Sequence, residues 1–386
     1  MKVVDVAEFY AEKGGGVKTY LDQKLRAGSA AGHEVVVLAP GPEDAEEERH
    51  GGRVVWIKSP KVPGDPRYHL FIDRRAVHAA LDRERPNVVE GSSVYGGGWF
   101  AGLWPGRAVR SLVFHQDPVA ALGHPMLDRF ISASTIDWAA APFWSFLRRL
   151  GHRFDTTVVA GTWLQERLTR FELPRVHAVP FGIDPTPFRA AERDEQLRKS
   201  LLEAAGVPLD APLLVCVSRH HPEKRLFTLM HAVRKVGAAQ PVALAIFGDG
   251  PLRAQVDAEA AKGPGIVVAG YTRDRDHLAK VLASADALLH GSAAETYGLV
   301  VAEAMCAGTP LIVPNVGGAA DLADPAFSET YPPGDVDKCA AAIRRMLSRE
   351  PMRLRVACLE ASRSVRTLDD HFAALFNHYA TLCAEG

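Results

Sequence analysis

The sequence predicts an α/β chain made of two doubly wound domains, each a mainly parallel sheet with covering helices. Three observations carry this prediction. The chain has 386 residues, too many for one ordinary core and enough for two of comparable size. Short β-branched runs alternate with amphipathic helical patterns, the signature of parallel sheets joined by crossover helices. The composition, 47% hydrophobic and 24% charged, is that of a globular protein able to cover both faces of such sheets.

In order, the first half offers strands at residues 2–6, at "EVVVLA" from Glu34, "RVVWIK" from Arg53, "NVVEG" from Asn87, "RSLVFH" from Arg110, "TTVVA" from Thr156 and "VHAVP" from Val176. The second half repeats the theme with "LLVCVSR" from Leu213, "VALAIFGDG" from Val242, "GIVVAG" from Gly265, "ADALLHGS" from Ala285 and "TPLIVP" from Thr309. Between them "FGIDPTPFRAAERDEQ" is rich in proline and charge and has no period, so it reads as a linker. The expected organisation is a first domain over 1–187, a second over 188–365, and a terminal helix over 366–386 that returns to the first domain. The acidic run "PEDAEEERHGG" reads as a solvated loop.

The formal net charge of -1 gives no reason to expect a nucleic-acid partner. The amino terminus "MKVVDVAEFY" reads as a buried strand rather than a secretory signal, and no stretch is apolar enough for a spanning helix. The five cysteines lie in the second half without a CxxC pair, which is cytosolic usage with buried thiols.

Ligands of doubly wound sheets bind at the carboxyl ends of the strands. "EKGGGVKTYLDQKL" follows the first strand and opens a helix, which suits close approach to an anion. It has neither the third glycine of GxGxxG nor the GxxxxGK[ST] spacing, so a nicotinamide or triphosphate loop is not indicated. In "HGSAAETYGLVVAEAMCAGTPLIVPNVGG", residues 290–318, Glu295 lies before a helix and Glu303 within it. The amides around Tyr297, Gly298 and Leu299 then mark a helix N-terminus that favours phosphate. Eight helical positions span at most about 12 Å, so two carboxylate acceptors for sugar hydroxyls would flank an anion site. A capping or salt-bridged role for Glu303 is the alternative, since a carboxylate among Val300, Val301 and Met305 is costly unless paired. "CVSRHHPEKRLFTL" places Arg219 and Lys224 at another strand end, with a helix beginning near Glu223, where they could neutralise a diphosphate leaving group.

These motifs, with "FGDGPLRAQV", "GTPLIVPNVGG", "VPFGID" and "GGGVKTYLDQKLRAGSAAGHEVVVLAP", together resemble glycosyltransferase family 4 in the family's order over nearly the whole chain. The resemblance implies the GT-B fold, two Rossmann-like domains facing across a cleft, and transfer of a sugar from a nucleotide-diphosphate donor with retention and without a metal. It implies no cofactor beyond the donor substrate. By the same resemblance Glu303 would bind the donor ribose, Glu295 the transferred sugar, and Arg219 with Lys224 the diphosphate. Gly15 and Gly16 would approach a phosphate or the acceptor, and His115, ending "RSLVFHQD", would contact the donor sugar. Two positions depart from the family: Arg225 stands where glycine is common, and Ser92 and Ser93 stand where many relatives have histidine.

Asp274 and Asp276 in "TRDRDHL" could hold a divalent ion, but they precede a helix and read better as an N-cap and first-turn acid. Residues 137–155 mix Trp138, Phe143, Trp144 and Phe146 with Arg148, Arg149 and Arg153, which suits either a membrane-surface helix or a core helix ending in cations. Overall likeness to bacterial glycolipid-forming members points to an acceptor such as diacylglycerol and a location at the inner face of the cell membrane. The alternatives are an epimerase or phosphorylase of the same fold, or a non-catalytic sugar-nucleotide sensor.

Overall fold

The computed structural model describes residues 1–11, 16–63, 65–123, 127, 131–189 and 191–385. The chain divides into two compact units, one of Met1–His115, Ala140–Phe181 and Leu368–Gly386, the other of Gln116–Ala139 and Gly182–Thr367. Residues 116–139 therefore group with the second unit, whereas the sequence reading carried the first domain unbroken to 187.

The first unit contains β1 (Lys2–Val6), β2 (Glu34–Gly41), β3 (Ala45–Arg49), β4 (Gly52–Lys58), β5 (Lys61–Val62), β6 (Asp65–His69), β7 (Val88–Gly91), β8 (Val109–Phe114), β9 (Thr156–Val159) and β10 (Val176–Ala178). Its main sheet runs β10-β9-β8-β7-β1-β2-β4-β3, while β5 and β6 form a separate hairpin. Only β3 is antiparallel within the main sheet, pairing Ala45 with Trp56 and Arg49 with Gly52 of β4. The acidic run expected as a loop is thus in part an edge strand. Its glutamates suit that place: Glu46 pairs with Arg53, Glu47 accepts from the Trp56 indole, and charge on an edge blocks further strand addition.

Strand β1 lies between β2 and β7, Val3 opposite both Val35 and Val88. Helices cover both faces of such a sheet, so its central strands read as unbroken apolar runs. The exceptions are Asp5 on β1 and Glu90 on β7, both fully buried. Lys24 of the helix Gly16–Ala30 pairs with both, at 2.8 Å from Asp5 Oδ2. The terminal helix Leu368–Glu385 packs Phe372, Leu375, Phe376 and Tyr379 into the core formed by Val3, Val35, Val88 and Val113. The Tyr379 hydroxyl donates its proton to Glu90 and shares a second hydrogen bond of 3.0 Å with the Ser111 hydroxyl.

The second unit holds β11 (Leu213–Val217), β12 (Ala243–Phe247), β13 (Ile266–Gly270), β14 (Ala287–Leu289), β15 (Leu311–Pro314) and β16 (Ser328–Tyr331), all parallel, in the order β13-β12-β11-β14-β15-β16. The chain winds outward in both directions from β11, so β11 and β14 flank the point where strand order reverses. The core beneath is aliphatic, built on Leu214, Ile246, Leu289, Ile312 and the helix residues Leu229, Val233 and Ile343.

Of residues 137–155, those up to 151 fall mainly in two helices, Ala133–Ala139 and Ala141–Gly151, and 152–155 form the turn into β9. In the second, Trp144, Leu147 and Leu150 are buried, which is the core-helix arrangement; Trp138 in the first is 79% exposed. Cys216, Cys306, Cys339 and Cys358 are buried free thiols, while Cys383 is exposed. No helix among the described residues is long and apolar enough to cross a membrane.

Candidate active site

The second unit gathers four strand-end loops at its topological switch point. After β11 the chain passes Arg219 and His220 into a single 3-10 turn, Pro222–Lys224, and the helix Leu226–Gly237 follows. The helix therefore begins at Leu226, later than the sequence suggested, because Arg225 interrupts it in the left-handed region at φ 48°. That is the position where the family commonly places glycine, and the backbone shows why: left-handed geometry costs a side-chain-bearing residue energy that glycine avoids.

The loop after β14 reaches back to this turn. A Cβ on Gly291 would strike the Lys224 carbonyl oxygen, so only glycine admits so close a backbone approach. Lys224 Nζ consequently lies 2.5 Å from Glu295 Oε1, and 3.5 Å from Glu223 Oε1. The loop after β15 secures the same residue from the other side, since the Gly318 amide donates to the Glu295 carbonyl at 2.6 Å. His290, buried at the end of β14, has Nε2 3.6 Å from Glu295 Oε1, and its carbonyl accepts from the Tyr331 hydroxyl.

Electrostatics follow from this geometry. Burial pushes the Glu295 carboxyl up, but the charge and hydrogen bond of the Lys224 ammonium outweigh it and hold the group below its ordinary value. Burial lowers Lys224, and the carboxylates of Glu295 and Glu223 more than reverse it. Burial also brings His290 down to about 4, so its imidazole is neutral beside the ion pair.

Beyond Glu295, Gly298 caps the helix Leu299–Cys306 in the left-handed region at φ 90°, and its carbonyl accepts from Val301 and Ala302. The remaining first-turn amides have no partner within the helix. Tyr297 is buried, with its phenol pushed up to about 12 by that burial. Gly308 ends the segment at φ 72°. Glu303 faces inward, its side chain 8% exposed, and accepts from Arg275 Nη2 at 2.8 Å. Burial raises its carboxyl, and Arg275 offsets this only in part. Arg275 lies 4.8 Å from the Phe188 ring centroid, in the helix Arg275–Ser284 that Asp274 caps by accepting from the Asp276 and His277 amides.

Lys224 and Glu295 thus meet at one corner. Glu303 is held by Arg275, so the salt-bridged alternative weighed from the sequence is present. Arg219 is exposed and makes no ion pair among the described residues. In the first unit, Gly16 opens the helix Gly16–Ala30 with open space where a Cβ would stand. Gly15 lies outside the described residues. His115 follows β8, its ring 5.0 Å from that of Tyr20, and burial brings it down to about 4. Sequence reasoning passed over His290 and Arg275. His290 stood in the quoted strand "ADALLHGS", and Arg275 lay in the "TRDRDHL" run examined for its aspartates.

Comparisons with known proteins agree over most of the chain. Residues 14–186 match the family described as Glycosyltransferase Family 4, and residues 198–364 match that described as Glycosyl transferases group 1. The chain is 30% identical to a GDP-mannose-dependent alpha-(1-6)-phosphatidylinositol dimannoside mannosyltransferase of Mycobacterium tuberculosis, over 95% of this chain and 93% of that protein. It is 31% identical to a GDP-mannose-dependent alpha-mannosyltransferase of Mycolicibacterium smegmatis, over 98% and 97%. In fold it is similar to sucrose-phosphate synthase of Thermosynechococcus elongatus, with a TM-score of 0.75, 19% identity, and coverage of 100% of this chain and 99% of that one.

Proposed function

The chain belongs to glycosyltransferase family 4 and is a hexosyltransferase of the GT-B fold that uses a nucleotide sugar; from that premise we propose that it transfers mannose from GDP-mannose to a hydroxyl on a membrane lipid head group, with retention and without a metal ion. The donor is supported by the names of both mycobacterial relatives, and the lipid acceptor by the first of them. Such an acceptor brings the enzyme to the inner face of the cell membrane as a peripheral protein.

The observation that carries the site reading is the Lys224–Glu295 contact at the strand-order reversal. Arg219 and Lys224 receive the diphosphate with the amides from Tyr297 to Leu299, replacing a cation as stabilisers of the departing charge. Glu295, released from Lys224 by the incoming phosphate, accepts from hydroxyls of the transferred sugar. Glu303, fixed by Arg275 through Oε1, offers Oε2 to the ribose. His115 supplies a neutral imidazole to the donor sugar, and Gly15 with Gly16 supplies close backbone approach. Proton transfer from the acceptor hydroxyl falls to the leaving phosphate, since Glu295 and Glu303 are both engaged on hydroxyls of the donor.

The test is turnover with GDP-mannose and UDP-glucose, each with and without phosphatidylinositol- or diacylglycerol-containing vesicles, in excess EDTA. Mannosylated lipid formed from GDP-mannose is the expected result. Transfer only from UDP-glucose would overturn the donor, transfer only to soluble acceptors would overturn the lipid, and activity restored only by magnesium or manganese would overturn metal independence.

A further inference from the structure

Three arginines line a cavity of about 450 Å³ in the first unit, well away from the strand ends at which parallel sheets bind their substrates. Arg110 is the second residue of β8, Asp155 immediately precedes β9, and Arg175 immediately precedes β10, so the cavity sits at the amino ends of these three parallel strands. Arg153 and the His152 imidazole complete the lining.

The donors there are held but not used up. Arg110 spends Nη2 on the carbonyls of Trp104 and Gly106, while its Nε is buried without a hydrogen-bond partner. Arg175 donates from Nε to the Phe154 carbonyl at 2.9 Å and from Nη2 to that of Gly151, and its backbone is in the left-handed region at φ 53°. The Arg153 guanidinium lies over the Trp99 indole, 5.1 Å from the ring centroid. None of the three makes an ion pair among the described residues. The one carboxylate in the wall, Asp155, is engaged by the Arg110 amide at 2.8 Å. Three guanidinium groups held by carbonyls and by stacking against one carboxylate leave the wall net positive and present a fork for phosphate oxygens. The volume falls in the range of small-molecule sites, about 300–1,000 Å³, which leaves room for more than a bare ion.

We propose that this cavity is a second anion site that binds a phosphate group carried on a small polar moiety, either a soluble phosphoester or a phospholipid head group. It stands apart from the sugar-nucleotide site and does not depend on the assignment of that site.

Titration of the full chain with inorganic phosphate and with glycerol 3-phosphate, followed by the His152 imidazole resonances, is expected to show saturable shifts below about 10 mM. Arg153→Gln removes an exposed guanidinium whose contact in the fold is the Trp99 ring and should weaken binding at least about fivefold. Arg110→Gln serves as a second variant. Cosedimentation with phosphatidylcholine vesicles, with and without phosphatidylglycerol, separates the sources. Vesicle binding reduced by Arg153→Gln identifies a head group, and vesicle binding unchanged beside weakened glycerol 3-phosphate binding identifies a soluble ligand. Absence of saturable shifts, or shifts unaffected by both variants, overturns the proposal, as does a vesicle effect without phosphate binding.

Discussion

Lys224 Nζ lies 2.5 Å from Glu295 Oε1, although one residue follows β11 and the other β14, 71 positions later. The two groups are proposed to serve different parts of the donor, Lys224 the diphosphate and Glu295 the sugar, so they should fail differently. Glu295→Gln is expected to lower kcat by about tenfold or more while leaving nucleoside-diphosphate affinity within about threefold, because the sugar that Glu295 is proposed to position is absent from the product. Lys224→Met should weaken the diphosphate itself by about tenfold, the scale of a charge-assisted bond. Calorimetry with the nucleoside diphosphate beside steady-state kinetics reads both. The pair also has a pH signature. Glu295 is held below its unfolded value of about 4.3, so its contribution to stability is present above that value and is lost as pH falls through the folded one. Urea denaturation of Glu295→Gln should therefore show a shallower loss of stability in acid than the parent.

Glu303 behaves in the opposite sense. Its carboxyl is raised by burial, so the folded state holds the proton more tightly than the unfolded chain, and the ionised group disfavours folding at neutral pH. Glu303→Gln should leave the melting temperature unchanged or slightly higher, yet weaken the nucleoside diphosphate by about tenfold through loss of the proposed ribose acceptor. Arg275→Ala should raise the carboxyl further and make nucleotide affinity fall as the solution is acidified. Equal weakening of nucleotide binding by Glu295→Gln and Glu303→Gln would show that the carboxylates do not serve separate parts of one donor.

His115 is neutral across the physiological range because burial, only partly opposed by Asp5, brings it to about 4. The kcat/KM profile should carry no histidine limb between about pH 5 and 8, and the His115 imidazole resonances should not titrate there. His115→Ala should lower kcat without introducing a limb. A titration midpoint for His115 near its ordinary value would contradict the neutral assignment of this half-buried imidazole.

Lys24 is fully buried between Asp5 and Glu90. Lys24→Met leaves two buried carboxylates without their cation and should cost about 3–5 kcal/mol in denaturant unfolding. Tyr379→Phe removes one donor from Glu90 and should cost about 1–3 kcal/mol. A Lys24→Met variant as stable as the parent would mean that the carboxylates are protonated in the fold.

Arg225 occupies left-handed backbone geometry. Arg225→Gly should fold with stability within about 1 kcal/mol of the parent and retain turnover, whereas Arg225→Val should destabilise by about 1–2 kcal/mol through the clash of a branched Cβ. Thermal denaturation of the two variants side by side decides it.

Much of the second unit was legible from local pattern. Runs such as "LLVCV" and "ALAIF" are buried on both faces and declare themselves by hydrophobicity alone, and Asp274 declared itself as a cap by standing just before an apolar period. Strand β3 was not legible, because "AEEER" has the composition of a solvated loop and is a strand only through its pairing with β4. Strand β16, "SETY", was missed for a like reason: a short polar edge segment gains its order from β15.

The sequence by itself determined the two-domain α/β architecture, the glycine-punctuated strand ends and the residue types of the site, because these depend on periodicity and on the chemistry of neighbours in the chain. Which of those residues meet was decided by tertiary structure. Lys224 reaches Glu295 because β11 and β14 are adjacent and Gly291 lets their loops touch, and Arg275 reaches Glu303 across 28 positions because two helices of the second unit pack together. The pocket of Arg110, Arg153 and Arg175 arises in the same way, from strand order bringing distant loops to one end of a sheet. Such contacts are set by packing between elements far apart in the chain, and that packing leaves no periodic trace in the residues themselves.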